Sequence, residues 1–242
     1  MTFWLILFAT IINSLVAFIG AIFLLLKEST LKKILFLLVG FSAGALLSGS
    51  LYHLLAESLE NLSTTMAFSS LLFGFIIFFL IEKFLHWHHC HEKICKVHPY
   101  SYLIIFGDAV HNFIDGLIIA ASFIINPGFG LLTTIIIISH EVPQELGDFG
   151  VMVHGGMEKK RAIFYNFLSQ AVCIAGGVVG WFFSEITGFV QYILPIAAGG
   201  FLYISASDLI PELHKEIELK KSMITFMMFV VGMLFVLAFK TL

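Results

Sequence analysis

Charge is scarce in this sequence. Asp, Glu, Lys and Arg make up only 12% of its 242 residues, against about 25% in soluble globular chains. With 59% apolar residues and a mean hydropathy of +1.00, too little polar surface remains for a water-soluble fold. Cysteine is scarce as well. Cys90, Cys95 and Cys173 are too few and too unevenly placed for a disulfide framework. Positive charge is not in excess, and a formal net charge of −3 excludes a nucleic-acid partner. The apolar run that starts near Phe3 lacks a basic leader and a small-residue cleavage site. It reads as a retained first helix rather than a cleaved signal. Long polar linkers are also missing, so residues 1–242 read as one transmembrane domain.

What the sequence has in quantity is long hydrophobic runs. A helix needs about 20 apolar residues to cross a bilayer. Breaks at charge clusters and Pro/Gly turns give about eight spans, near 3–26, 33–57, 66–85, 101–124, 130–153, 161–184, 189–211 and 222–240. The expected fold is an all-α polytopic membrane protein embedded in a lipid bilayer. Basic residues then orient it. Lys27, Lys32 and Lys33 flank the first connection, and Lys83, Lys93 and Lys96 the third. Lys159, Lys160 and Arg161 mark the fifth, and Lys215, Lys220 and Lys221 the seventh. The even connections, about 58–65, 125–129 and 185–188, carry no Lys or Arg. Odd connections are therefore expected in the cytoplasm and both termini outside, with the plasma membrane as the expected location.

Charges inside spans cost at least ~2.5–3.5 kcal/mol each, so those present are expected to serve function. The fourth span reads "GDAVHNFIDGLIIAASF". His111 and Asp115 are i and i+4 on one helix face, with Asp108 three residues before and Asn112 about 100° round. The fifth carries "SHEVPQELGD", where His140, Gln144 and Asp148 form one stripe and Glu141 and Glu145 a neighbouring one. Pro143 is expected to kink this helix and free backbone carbonyls. The short connection "INPGFG" makes the two spans antiparallel neighbours. His111, Asp115, His140, Glu141 and Gln144 are thus expected to converge near the midplane. Imidazole with carboxylate oxygen suits Zn²⁺, Fe²⁺ or Mn²⁺. Two adjacent sites can share Asp115, with Asn112 and Glu141 serving the second.

Other polar residues mark the approaches. His53 and Glu57 are expected near the outer surface, and Asp208, Glu212 and His214 near the inner one, with Asp108, Asp148 and His154 also inward. The third connection, about 86–100, holds His86, His88, His89, His91 and His98 with Cys90 and Cys95. Such tracts bind metal loosely, and this spacing is not that of a zinc finger. "HEVPQ" is also one residue short of the zinc-protease signature H-E-x-x-H, because Gln144 replaces the second His. An intramembrane metalloprotease and a non-transporting metal sensor are the alternatives to transport.

"HNFIDG" and "HEVPQELGD" together resemble the paired signatures of the ZIP (Zrt/Irt-like) divalent metal transporters. "HLLAES" in the second span and "SDLIPE" in the seventh are similar to further stretches of that family. The resemblance covers nearly the whole chain. It implies a three-plus-two-plus-three helix bundle with inverted repeats, a homodimer as the assembly, and a binuclear midplane site. Carried over, the first site is His111, Asp115, His140 and Gln144. The second is Asn112, Asp115, Glu141 and Gln144. The family often has His or Glu where Gln144 stands, and commonly Pro where Ala56 stands. The implied function is transport of a divalent metal toward the cytoplasm, with zinc ahead of Fe²⁺, Mn²⁺, Co²⁺ or Cd²⁺, and no resident cofactor or enzymatic step.

Overall fold

A computed structural model describes residues 1–19, 28–87, 99–154, 156–184, 186 and 189–240, without the side chains of 28–33, 84–87, 99–104, 151, 154, 239 and 240. Every element among the described residues is helical, as a chain in hydrocarbon requires to satisfy its own backbone. Helix α1 spans Thr2–Leu15 and tightens into a 3₁₀ turn at Val16–Phe18. Helix α2 spans Glu28–Ser48 and continues through a π-helical stretch, Gly49–Leu55, to Ala56–Ser58. Helices α3, α4 and α5 are Thr64–Trp87, Pro99–Ile125 and Pro127–His154. Helix α6 is Lys159–Gln170 and Val172–Phe183, with one irregular turn between. Helix α7 is Phe189–Ile204, a π-helical Ser205–Leu209 and Ile210–Leu213. Helix α8 is Leu219–Lys240.

Six of these are long and apolar enough to cross a membrane, and Thr2–Phe18 is a shorter apolar helix. The 28-residue α5 is not among the six, because its second half is given over to His140, Glu141, Pro143, Gln144, Glu145 and Asp148. A span so polar survives only where its polar face meets protein rather than lipid. Accordingly α4 and α7 are the most enclosed spans, while α3 and α8 turn Phe68, Leu72, Phe73, Phe226, Met227 and Leu234 outward. Six apolar spans around a polar centre make this an integral, multi-pass membrane protein.

Glycine sets how closely the helices approach. A Cβ on Gly44 of α2 would lie 1.9 Å from the Phe229 carbonyl oxygen of α8, and one on Gly232 would lie 2.1 Å from that of Phe41. Gly74 and Gly199 meet α7 and α3 in the same reciprocal way, each 2.0 Å from a backbone oxygen. So do Gly116 of α4, 2.0 Å from the Cys173 carbonyl oxygen, and Gly176 of α6, 2.1 Å from that of Phe113. Three seams, α2–α8, α3–α7 and α4–α6, therefore bring backbone against backbone, which lipid itself does not drive and small residues permit.

Helices α2 and α7 also exchange hydrogen bonds in both directions. Ser50 Oγ donates to the Ala198 carbonyl at 2.6 Å, and Ser205 Oγ to the Ala43 carbonyl at 2.9 Å. Ser205 and Ala198 lie 155 residues after Ser50 and Ala43 respectively. At that offset Gly44, Leu54 and Glu57 match Gly199, Leu209 and Glu212, and the two π-helical stretches coincide. The two helices run antiparallel about a local twofold axis.

Helix α5 passes through Pro143 without interruption. The missing N–H frees the carbonyl of Ser139, four residues earlier. Ser42 Oγ of α2 donates to that carbonyl, so the polar break is capped by a neighbouring helix.

Candidate metal centre

Helices α4 and α5 face each other at one level, and their polar stripes meet. His111 Nε2 lies 3.2 Å from His140 Nε2, 3.6 Å from Asp115 Oδ2 and 3.3 Å from Glu141 Oε1. His140 Nε2 lies 3.7 Å from Asp115 Oδ2 and 3.5 Å from Glu141 Oε1. A tetrahedral zinc with ligand bonds of 2.0–2.2 Å has edges of roughly 3.3–3.6 Å between its donors. Five of the six edges here fall in or within about 0.1 Å of that range, and all four donors lie within 4.8 Å of one another.

The chemistry of the donors agrees with the geometry. Both oxygens of Asp115 and both of Glu141 are buried without a hydrogen-bond partner. Buried carboxylate oxygens are costly when unpaired, so such a set calls for a cation. His140 Nδ1 donates to the Ile136 carbonyl at 3.3 Å. That bond turns the Nε2 lone pair toward the other donors, as the outer partners of metal-binding imidazoles do. The edges of Phe78 and Phe201 close on His111 and His140, with ring centroids 6.1 Å and 5.7 Å away. His111 is 13% exposed and the other three donors at most 1%, so access to the centre runs past His111.

Gln144 reaches the neighbouring acid through its amide nitrogen. Its Nε2 donates to Asp108 Oδ1 at 3.2 Å. Asn112 Nδ2 donates to the same oxygen at 3.0 Å and to the Asp108 carbonyl at 3.1 Å. Both carboxamide nitrogens therefore reach Asp108, while Glu141 Oε1 lies beside both imidazoles. Asp108, Glu141 and Glu145 form a second group of carboxylates with oxygens within 4.8 Å of one another. Asn166 of α6 donates to Glu145.

The remaining residues lie further away. His53 is buried among the helices. Its Nε2 donates at 2.7 Å to Thr133 Oγ1, whose own proton goes to the Phe129 carbonyl at 2.9 Å. Its ring stacks on Phe129, centroids 3.8 Å apart. Thr133 is seven residues before His140, about 10 Å along α5, so His53 sits above the centre. Glu57 and Asp148 are half-buried, while Asp208 and Glu212 are exposed. Ser207 donates to Asp208 at 2.8 Å, and Lys215 pairs with Glu212 at 2.5 Å. His88, His89, His91 and His98, like Cys90 and Cys95, lie outside the described residues, as do the side chains of His86 and His154.

Sequence reasoning did not foresee Ser42 capping Ser139, Asn166 holding Glu145, or Asn13 Nδ2 of α1 donating to Cys173 Sγ at 3.5 Å. The α2–α7 repeat was legible as "AG" followed six residues later by Ser, then by Glu seven residues after that, in both helices.

Fold and site together define a membrane-embedded protein with an enclosed cluster of two imidazoles and two carboxylates of a kind that could hold a metal ion. A family model described as ZIP zinc transporter matches residues 2–99 and 87–240. The chain belongs to the ZIP zinc transporter family. It is 37% identical over 134 residues to the zinc transporter foi of Drosophila melanogaster, covering 55% of this chain and 19% of that protein. It is 41% identical over 127 residues to the human zinc transporter SLC39A7, covering 48% and 26%. To the metal cation symporter ZIP14 of Bos taurus it is 40% identical over 119 residues, covering 48% and 23%. The matched segments thus span about a quarter or less of the length of these relatives.

Proposed function

We propose that this chain carries a divalent transition metal, zinc foremost, across the membrane toward the cytoplasm, with His111, Asp115, His140 and Glu141 holding the ion in transit. The observation that carries this reading is the near-tetrahedral spacing of four donors, three of them buried, whose carboxylate oxygens have no other partner. Family membership supports transport over catalysis. So does the identity of residue 144, a Gln where the H-E-x-x-H signature needs its second His. The lysine bias of the odd connections orients the chain, and inward transport is what the family resemblance implies.

In this reading an ion passes His53 and Glu57, exchanges its waters for the four donors, and leaves toward Asp108, Glu145 and Asp148, with Asp208 and Glu212 at the inner surface. Two imidazoles must be neutral to bind, so loading the centre competes with protons and weakens as pH falls. The test is ⁶⁵Zn²⁺ uptake into liposomes holding the purified protein, beside the His111→Ala/His140→Ala double variant. Saturable uptake lost in the variant is expected, with Fe²⁺, Mn²⁺, Co²⁺ and Cd²⁺ as competitors to rank the cargo. Equal uptake by the folded variant refutes passage through this centre.

A further inference from the structure

Helices α3 and α7 meet the two imidazoles with apolar surface. From Gly74 to Ile81 in α3, and from Ile193 to Leu202 in α7, no residue carries a polar side chain. What they bring to the centre is two aromatic rings. Phe78 of α3 meets His111 with ring centroids 6.1 Å apart and planes at 85°. Phe201 of α7 meets His140 with centroids 5.7 Å apart and planes at 64°. Each imidazole thus has its own phenyl ring, and both rings are buried. The place of Phe78 is cut into α7. A Cβ on Gly200 would lie 2.5, 2.6 and 2.8 Å from three atoms of the Phe78 ring, so the missing side chain makes the notch that holds it. Gly200 and Phe201 are consecutive, so one stretch of α7 seats the first ring and supplies the second. By contrast, the polar groups next to the donors, Asp108, Asn112 and Gln144, belong to α4 and α5.

An ion's coordination shell depends on such a wall. Zinc is satisfied by four ligands in a tetrahedron. A harder ion such as Mn²⁺ prefers six in an octahedron, so on four protein donors it needs two waters as well. A water pressed against a phenyl ring has hydrogen bonds left unmade, which is costly away from bulk solvent. We propose that Phe78 and Phe201 determine which ion the centre accepts. They deny room and hydrogen bonds to a fifth and sixth ligand, so an ion is held tightly only if it accepts four. This rests on the transport reading and adds metal discrimination to it. Zinc exchanges all its water for the four donors and passes. Mn²⁺ must keep two waters and binds less tightly, although the donors are the same. Selectivity then comes from the apolar wall as well as from the ligands, and the wall belongs to two helices that offer the imidazoles only carbon.

Co²⁺ reports the coordination number, since four-coordinate Co²⁺ absorbs strongly in the visible and six-coordinate Co²⁺ only weakly. The full-length protein, purified in detergent, is loaded with Co²⁺, and zinc and Mn²⁺ are each titrated against it to give the ratio of their affinities. The wild type should show the strong four-coordinate bands. Phe78→Ala and Phe201→Ala should move toward weak bands and lower the zinc-to-Mn²⁺ ratio by about tenfold or more, roughly the worth of one hydrogen bond regained by a bound water. Phe201→Leu keeps the wall apolar and should keep both wild-type readings. Weak bands in the wild type overturn the proposal without any variant having to fold. So do alanine variants that bind Co²⁺ and retain the wild-type spectrum and ratio; either result leaves the transport centre standing if the bands vanish in His111→Ala/His140→Ala. Bands that persist in that double variant overturn the centre itself, and the proposal falls with it. Thermal unfolding of each variant without metal shows that its fold is intact.

Discussion

The sharpest prediction separates Glu141 from Gln144. They are three residues apart on α5, and resemblance alone makes Gln144 the fourth ligand beside the two imidazoles. The structure puts Glu141 Oε1 3.3 and 3.5 Å from the two imidazoles and gives the Gln144 amide to Asp108. Zinc held by four protein ligands is worth about 10–16 kcal/mol at neutral pH, or roughly 2.5–4 kcal/mol per donor. At about 1.4 kcal/mol per tenfold, Glu141→Ala should weaken zinc binding by a hundredfold or so. Gln144→Ala removes one hydrogen bond to a carboxylate that keeps its bond from Asn112. It should cost about 1–3 kcal/mol of stability and leave zinc affinity within about tenfold of wild type, less than the 1.4 kcal/mol that a larger change would require. The assay is competition with a chromophoric zinc chelator on detergent-purified protein at fixed pH, with a thermal scan for each variant. A Gln144→Ala protein that loses a hundredfold in affinity while Glu141→Ala loses little would refute the ligand assignment.

Two further outcomes test the packing. Gly116→Ala places a methyl 2.0 Å from the Cys173 carbonyl oxygen, so α4 and α6 must part by more than about 1 Å; overpacking of this kind costs about 1–3 kcal/mol or more, and the detergent-solubilised protein should unfold several degrees lower. Ser42→Ala leaves the Ser139 carbonyl, already deprived of its helical partner by Pro143, without its cap. A loss of about 1–3 kcal/mol is expected for a buried acceptor left unsatisfied, and a Pro143→Ala background, which restores the N–H, should remove most of that difference in the same thermal assay.

The all-α membrane architecture was legible because each span must satisfy its backbone internally and carry its own hydrophobicity. Length and composition therefore suffice, and most span limits differ from the observed helices by a few residues. The stripes on α4 and α5 were legible for a similar reason. The i,i+4 spacing of His111 and Asp115, and the antiparallel turn before α5, fix which faces meet whatever the rest of the bundle does. Tertiary structure decided which side chains lie within reach of one another. A helical stripe specifies a face and not a rotamer, and Gln144 and Glu141 both point inward closely enough to compete for the fourth corner. The Asn112 and Gln144 amide nitrogens reach Asp108, because a buried carboxylate accepts hydrogen bonds from any amide within reach, and Glu141 lies beside the imidazoles.

His53 shows the same limit. Its place in the second helix gave a depth near the outer side, but not its partners; a π-helical turn and the stacking of Phe129 bury it against Thr133. The sequence by itself determined the class of protein, the two helices that build its centre, and the kinds of ligand it offers, because those follow from hydropathy and helical period. Which donors meet, which oxygens stay unpartnered, and how closely the three glycine seams draw the helices together depend on contacts between residues far apart in the chain, and only the tertiary structure decided them.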